Sequence, residues 1–167
     1  MGGSLGMWKP SYSKGVRQAI ATQFSNITDW IIFERYGLLN DDMKHFYSHL
    51  MGNSKFCLAP EGLFAFTPRI SEAMRSGCIP VIISDSFVPP FSKMLDYSSF
   101  ALHLSPKNLT SLPGLIRSVS SRKIVYMQNL LRYALIHLQY NSPPQPGDAF
   151  FMIMNELYIK KNKLKNL

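Results

Sequence analysis

The chain has 167 residues, enough for one domain with a buried core, and its 46% hydrophobic and 17% charged residues are typical of a globular protein. The formal net charge is +8, which favours acidic partners such as phosphate groups. These properties exclude a disordered chain, and no apolar run approaches the roughly 20 residues that a membrane-spanning helix needs. The first residues also lack the apolar region of a secretory signal peptide.

Part of the positive charge lies at the end of the chain, where IKKNKLKNL contains four lysines and no acidic residue. A basic segment at a chain terminus is usually a solvated tail. A nucleic-acid-binding patch would carry aromatic side chains between the cations, and this segment has almost none. We therefore expect no nucleic acid among the partners.

Apolar periodicity predicts short strands and helices in alternation. In chain order the pattern predicts a helix at 14–24, a strand at 29–34, a helix at 41–51, a strand at 55–59, a helix at 68–76, strands at 78–84 and 100–104, and helices at 109–118, 121–140 and 148–161. The residues before Lys14 form a poor strand, so we expect the first helix to lack the strand that normally precedes it. This order indicates an α/β, Rossmann-like fold, in which a parallel sheet has helices on both faces.

The segment CIPVIIS at 78–84 is continuously apolar, as expected of a parallel strand covered on both faces. Gly77 lies where a helix C-cap glycine belongs. Pro80 indicates an edge position or the start of the strand, because proline cannot donate a backbone hydrogen bond. Cys57 and Cys78 each lie in an apolar run, so we expect two small buried side chains rather than a disulfide framework or a metal site.

The four histidines do not indicate a metal site. His45 and His49 lie one helical turn apart, but no third ligand accompanies them, so an exposed helix face is expected. His103 and His137 are expected to be surface or core residues. Two sequons, at 26–28 and 108–110, are compatible with a secretory compartment.

The segment 54–91 contains the candidate chemistry. Thr67 followed by Pro68 is typical of a helix N-cap and first position, and both follow a strand and a glycine-containing loop. Ligands of open parallel sheets bind beyond the carboxyl ends of the strands, where the N–H groups of a helix start favour phosphate. Arg69 would lie in the first helical turn, where a cation is mildly unfavourable unless an anion bridges it. A solvated surface arginine is the alternative.

Two carboxylates in this segment, Glu72 and Asp85, each allow more than one role. Glu72 lies three residues after Arg69 and shares its helix face. Its carboxylate can accept hydrogen bonds from ribose hydroxyls or pair with Arg69 or Arg75 at the surface, and the spacing does not decide between them. Asp85 directly follows the strand at 78–84, where a turn residue is favoured over a general base or a sugar ligand.

The same stretch resembles a known family. SKFCLAPEG at 54–62, TPR-x-x-EAM at 67–74, GCIPVIISD at 77–85 and LDYSSFA at 95–101 are similar to exostosin glycosyltransferases. The resemblance extends over 14–140, which would be a donor-binding domain. It leaves 1–13 as an N-terminal extension and 141–167 as a Pro-rich break, a C-terminal helix and a basic tail.

The resemblance implies the C-terminal half of a GT-B fold and a Golgi enzyme. Its members are inverting transferases that move a sugar from a UDP-sugar to a polysaccharide or glycan acceptor, with no obligatory metal ion. By position, Arg69 would hold the donor diphosphate and Glu72 the ribose or the sugar. Glu61 and Gly62 would line the loop over the donor.

Two further residues come from the first helix, where Lys14 and Arg17 would approach the phosphates. The catalytic base is not assigned, and the acceptor half is missing from the resemblance. We therefore expect a truncated transferase. The alternative is a non-catalytic nucleotide-sugar-binding or partner domain, which would stabilise a full-length transferase as a homo- or hetero-oligomer.

Overall fold

The protein is described by a computed structural model that covers residues 2–4, 12–35, 41–62 and 64–165. The strands are β1 (Gly2–Ser4), β2 (Phe33–Arg35), β3 (Phe56–Pro60), β4 (Ile79–Ile83) and β5 (Leu102–Leu104). The helices are α1 (Val16–Phe24), α2 (Asp41–Gly52), α3 (Arg69–Arg75), α4 (Leu112–Arg117), α5 (Ser121–Ile136) and α6 (Ala149–Lys165). Short 3₁₀ turns lie at Tyr12–Gly15, Tyr97–Ser99 and Pro106–Ser111.

The main sheet has three parallel strands in the order β3-β4-β5. β3 pairs with β4 from Phe56–Ile79 to Pro60–Ile83, and β5 joins the other side of β4 only from Val81 onward. Every residue of β4 is buried, as its continuous apolar sequence predicts. The sheet confirms the α/β class predicted from the sequence.

Pro80 lies in the central strand, so the interpretation of an edge strand is wrong and that of a strand start is confirmed. Its neighbour across β3 is Cys57, while the pairing of β4 with β5 begins one residue later, at Val81. The missing N–H of Pro80 therefore removes no hydrogen bond from the β4–β5 ladder.

A strand precedes the first helix, contrary to the sequence expectation. β1 pairs in parallel with β2, from Gly2–Phe33 to Ser4–Arg35, in a separate two-stranded sheet. The reason for the error is local: Gly-Gly-Ser contains no β-branched or aromatic residue, so nothing in its composition signals a strand. Residues 5–11 of the predicted N-terminal extension lie outside the described residues.

The core is built on both faces of the main sheet. On the face of Val81 and Ile83, the buried side chains come from α1 and from the start of α4. On the face of Ile82, they come from α3 and from the second half of α5. Alternate β4 side chains therefore point into two apolar clusters, which confirms that helices cover both faces.

The ends of α3 are set by three residues. Gly77 follows the helix with φ of +71°, a left-handed conformation that confirms the predicted C-cap. At the other end Pro68 occupies the N-cap with φ of −56°, and it makes no side-chain cap bond. Thr67, the predicted N-cap, instead offers its backbone carbonyl to the N–H of Ile70 at 3.3 Å. The helix therefore begins after a proline whose fixed φ suits a helix start, without a side-chain cap.

The two cysteines form a disulfide, so the expectation of two separate buried side chains is wrong. Cys57 and Cys78 are 21 residues apart in sequence, yet their Cα atoms are 5.8 Å apart. The parallel register explains this proximity, because Cys57 lies opposite Pro80 and Cys78 directly precedes β4. The bond joins β3 to the segment that leads into β4.

None of the helices in the described ranges combines the length and the hydrophobicity needed to cross a bilayer.

Candidate functional site

The carboxyl ends of β3 and β4 meet at one edge of the sheet, because Pro60 pairs with Ile83. The next residue of each chain segment carries a polar side chain that is buried: Glu61 after β3 and Ser84 after β4. The N–H of Glu61 donates to the Ile83 carbonyl at 3.2 Å, which extends the ladder by one bond. The Ser84 hydroxyl donates to Glu61 Oε2 at 2.9 Å. A carboxylate is therefore held in a fixed position at this edge.

The start of α1 lies against the same edge. The Arg17 side chain is buried, and it donates from Nε to the Glu61 carbonyl at 3.2 Å and from Nη2 to the Pro60 carbonyl at 3.1 Å. The Ser13 hydroxyl also donates to the Glu61 carbonyl. Lys14 Nζ lies 3.0 Å from Glu61 Oε1, and the lysine side chain is 75% exposed while that of the glutamate is 3% exposed. Lys14, Arg17 and Glu61 are thus brought together.

The turn that presents Lys14 is strained. Ser13, Lys14 and Gly15 have φ values of 55°, 49° and 77°, all in the left-handed region. Each such conformation is unfavourable for a residue with a Cβ, and strain of this kind concentrates at functional sites. The contacts of Ser13 and Lys14 with Glu61 hold the turn in place.

Arg69 is the first residue of α3, and it contacts a residue that the sequence did not single out. Its Nη1 donates to the hydroxyl oxygen of Tyr47 in α2, and its guanidinium carbon lies 5.4 Å from the centre of the Tyr47 ring. Burial raises the pKa of Tyr47, so the phenol stays protonated at neutral pH. Arg69 is therefore oriented by an uncharged partner.

The candidate site has more positive than negative charge. Burial lowers the pKa of the Arg17 guanidinium, and the nearby charge of Arg69 lowers it further. Besides burial, the charges of Arg69, Glu72 and Arg17 also act on the pKa of the Tyr47 phenol. Lys14, Arg17 and Arg69 carry three positive charges, and the buried carboxylate of Glu61 is paired with one of them, Lys14. An arrangement of this kind can hold an anion that bears more than one negative charge.

The other two predicted residues, Glu72 and Gly62, form no ion pair or side-chain hydrogen bond with these three cations within the described part of the chain. Glu72 is exposed on α3, and none of the ion pairs between described residues joins it to Arg69 or Arg75. The N–H of Gly62 donates to the Phe64 carbonyl at 3.1 Å. A methyl group at Gly62 would lie 3.9 Å from the Tyr12 hydroxyl, which is an ordinary contact.

Asp85 is exposed in the bend after β4, as predicted for a turn residue. Two histidines are exposed on a helix, and the other two contact backbone carbonyls. His45 and His49 are exposed on α2, and the His137 ring contacts the Gly147 carbonyl at 2.6 Å. His103 contacts the carbonyl of Ser84 through Nε2. Within the described ranges, no group of three or more His, Cys, Asp or Glu residues is placed to hold a metal ion.

A separate surface depression lies on the outer side of α5. It is open to solvent, and it is lined by Tyr126, Asn129, Leu130, Arg132, Tyr133 and Ile136. None of the predicted site residues lines it.

Comparison with known proteins supports the resemblance seen in the sequence. The Exostosin GT47 domain matches residues 3–119. A probable glycosyltransferase of Arabidopsis thaliana is 37% identical over 119 residues, which are 71% of this chain and 23% of that protein. The exostosin-1 homolog of Caenorhabditis elegans is 34% identical over 116 residues, 68% of this chain and 30% of that protein.

A probable β-1,4-xylosyltransferase of Arabidopsis thaliana is 32% identical over 148 residues, 87% of this chain and 34% of that protein. The chain thus spans about a quarter to a third of the length of these curated relatives. The matched region contains β3, β4, the disulfide and every predicted site residue. On this evidence the chain belongs to the exostosin GT47 family.

Proposed function

We propose that the chain is the donor-binding part of an exostosin-family glycosyltransferase, which moves a sugar from a UDP-sugar to a polysaccharide or glycan acceptor. One observation carries the proposal: at the carboxyl edge of a parallel sheet, Lys14 pairs with the buried carboxylate of Glu61, and Arg17 donates to the Glu61 carbonyl. The charge of Arg69 acts on Arg17 there. Ligands of open α/β sheets bind at this edge. The glycosyltransferase names of the relatives support the reaction class.

The cations would bind the diphosphate of the donor. Arg69 has a planar guanidinium that suits two phosphate oxygens at once, and its Tyr47 contact fixes its orientation. Lys14 is largely exposed, so its ammonium can move from Glu61 to a phosphate. Arg17 already donates to two carbonyls, so it contributes mainly its charge and the position of the loop that begins at Glu61.

The polar residues beside the cations would recognise the rest of the donor. Glu72 is exposed on the helix that begins with Arg69, where its carboxylate can accept hydrogen bonds from the ribose or sugar hydroxyls. Gly62 follows Glu61 in the loop over the same edge. Glu61 is paired with Lys14 and Ser84, so it would position this loop.

The same charges suit the chemistry of inverting transfer. An acceptor hydroxyl would attack the anomeric carbon, the bond from that carbon to the UDP oxygen would break, and a base would take the hydroxyl proton. The departing UDP gains negative charge at its diphosphate, which Arg69 and Lys14 would stabilise without an obligatory metal ion. The described residues identify no base, so we assign this chain the donor side of the reaction.

Two features support a location in the Golgi lumen. Disulfides persist in oxidising compartments such as the secretory pathway, and Cys57–Cys78 is one. The sequon residues Asn26 and Asn108 are both exposed, so they are accessible to glycosylation there. The proposed partners are a UDP-sugar and a glycan acceptor. The chain would also form an oligomer with a full-length transferase.

The test is a calorimetric titration of the purified chain with UDP. We expect saturable binding, and we expect Arg69→Ala to raise the dissociation constant about tenfold or more, because charge-assisted hydrogen bonds to phosphate are lost. Arg75→Ala is the matched control, since Arg75 is an exposed arginine in the last turn of the same helix. Equal affinities of the parent and Arg69→Ala, with both chains folded, would remove Arg69 from the site.

A turnover assay with UDP-sugars separates the two classes of function. Transfer to a glycan would identify an active enzyme. UDP binding without transfer, in the presence of acceptor, would identify the non-catalytic nucleotide-sugar-binding domain instead.

A further inference from the structure

The two loops that leave the carboxyl edge of the sheet carry exposed apolar side chains. In the loop after β3, Phe64 is 79% exposed and Phe66 is 53% exposed. In the segment after β4, Val88 is 77% exposed. Large apolar side chains that are exposed together at one place mark interaction sites more often than isolated ones do.

Both loops are tied to the candidate donor site. Phe64 and Phe66 lie between Glu61 and Arg69 in the chain, so the proposed donor-binding residues flank them on both sides. The Gly62 N–H donates to the Phe64 carbonyl at 3.1 Å. Phe64 and Phe66 therefore belong to the loop that joins Glu61 to Arg69.

The loops are also fixed to each other. The Ser84 hydroxyl bonds to Glu61 at the base of the two loops. Farther out, the rings of Phe66 and Phe87 are in contact, with centroids 6.2 Å apart and planes inclined by 42°. Phe87 is half-buried and packs against the core side chains under α3 and α5. Phe66 therefore has an anchored neighbour, while much of its own ring remains exposed.

A sugar ring fits such a surface by its chemistry. One face of a pyranose carries C–H groups that pack on an aromatic ring, while its hydroxyls point outward to water or to polar groups. Glu72 lies on the helix that follows the loop of Phe64 and Phe66. Asp85 lies in the segment of Val88, and both carboxylates are exposed and can accept hydroxyl hydrogen bonds. The three apolar side chains lie on two loops and are open to solvent, as the binding of a polysaccharide chain requires.

We propose that Phe64, Phe66 and Val88 form a platform on which pyranose rings of the acceptor glycan stack, next to the donor site. The platform rests on the proposed function, and it assigns the acceptor to the open side of the loop between Glu61 and Arg69. A nucleobase on the same rings is the competing occupant, and the test distinguishes the two.

The experiment titrates the 167-residue chain with β-1,4-xylohexaose and with cellohexaose, each with and without saturating UDP. Xylohexaose is chosen because one relative is named as a β-1,4-xylosyltransferase. Saturation-transfer NMR reports which sugar protons contact the protein, and calorimetry gives the affinity. We expect the C–H protons of at least one hexaose to receive saturation.

The double variant Phe64→Ala/Phe66→Ala should weaken hexaose binding about tenfold, because two stacking contacts are lost. Its affinity for UDP should stay within about twofold of that of the parent, since no cation has changed. Phe66→Tyr keeps an aromatic ring and should retain hexaose binding. Tyr133→Ala, on the outer side of α5, is the control for the loss of an exposed ring, and it should change neither affinity.

Three results would overturn the platform. The first is a parallel loss of UDP and hexaose affinity in the double variant, which would assign the rings to the nucleotide. The second is unchanged hexaose affinity in that variant. The third is a parent chain that binds neither hexaose. Hexaose binding is measured without UDP as well, so a chain that fails to bind UDP disproves the donor site and still tests the platform.

Discussion

Asp148 is the residue whose ionisation should most clearly control stability. It precedes α6 and is fully buried. One carboxylate oxygen accepts from the N–H groups of Phe150 and Phe151 at 3.0 and 3.3 Å. The other accepts from the N–H of Gln145 at 2.9 Å and from Asn141. The backbone bond from Gln145 is the main cause that lowers the pKa of Asp148, because hydrogen bonds to the charged form favour it.

The pH dependence follows from that direction. A carboxylate with a lowered pKa in the folded state stabilises the fold above its unfolded pKa of about 3.9, and this contribution is lost as the pH falls through the folded pKa. We predict that Asp148→Asn lowers the thermal midpoint at pH 7 and that the difference from the parent shrinks below about pH 4. Thermal unfolding of both chains from pH 7 to pH 2.5 measures it. A difference that stays constant with pH would show that the charge of Asp148 does not contribute.

The sequence predicted part of the candidate site for identifiable reasons. Glu61, Lys14 and Arg17 came from the family resemblance. Arg69, in contrast, begins a helix whose apolar periodicity is clear, so its place at a helix start could be derived. Tyr47 could not, because it lies in the middle of α2 and reaches Arg69 only through the packing of that helix. Ser84 had a weak signal, as the polar residue that ends an apolar strand, and its bond to Glu61 depends on the register of β3 and β4.

At the scale of elements, the disulfide connects two adjacent strand beginnings. Cys57 lies in β3, and Cys78 immediately precedes β4. A link across a sequence separation of 21 residues restricts the unfolded chain, which is expected to stabilise the fold by about 3 kcal/mol. The chain between the two cysteines contains the loop of Phe64 and Phe66, then α3. The disulfide therefore closes the segment that contains Arg69 and Glu72.

We predict that Cys57→Ala/Cys78→Ala lowers the free energy of unfolding in urea by about 3 kcal/mol. Dithiothreitol should destabilise the parent by a similar amount and should not affect the double variant, which serves as the control. If reductant changed the stability of both chains equally, or of neither, the disulfide would not be what stabilises β3 and β4.

Some helices and strands could be predicted from the sequence more accurately than others. α1, α2 and α3 have regular apolar stripes, and their predicted ranges overlap the observed ones closely. α5 ends at Ile136, four residues before the predicted end, and His137 follows it as the C-cap. β1 went unpredicted because strand formation at Gly-Gly-Ser depends on its partner β2 and not on its own residues.

At the scale of the whole molecule, two kinds of surface stand out. One is the carboxyl edge of the main sheet, with its cations and the aromatic platform. The other comprises the outer sides of α5 and α6, which expose apolar side chains that include Val125, Tyr133, Ile136, Phe150, Phe151 and Leu157. The formal charge of +8 attracts anions to the molecule in general, and Lys14 and Arg17, which contact Glu61 at the sheet edge, give that attraction a defined position.

The position of bound UDP tests the account most directly, and a crystal structure of the chain with UDP would show it. We predict that the diphosphate lies at the carboxyl edge of β3 and β4, within hydrogen-bonding distance of the Arg69 guanidinium and the Lys14 ammonium. UDP bound elsewhere, for example in the depression beside Tyr126 and Tyr133 on α5, would contradict the assignment of the donor site.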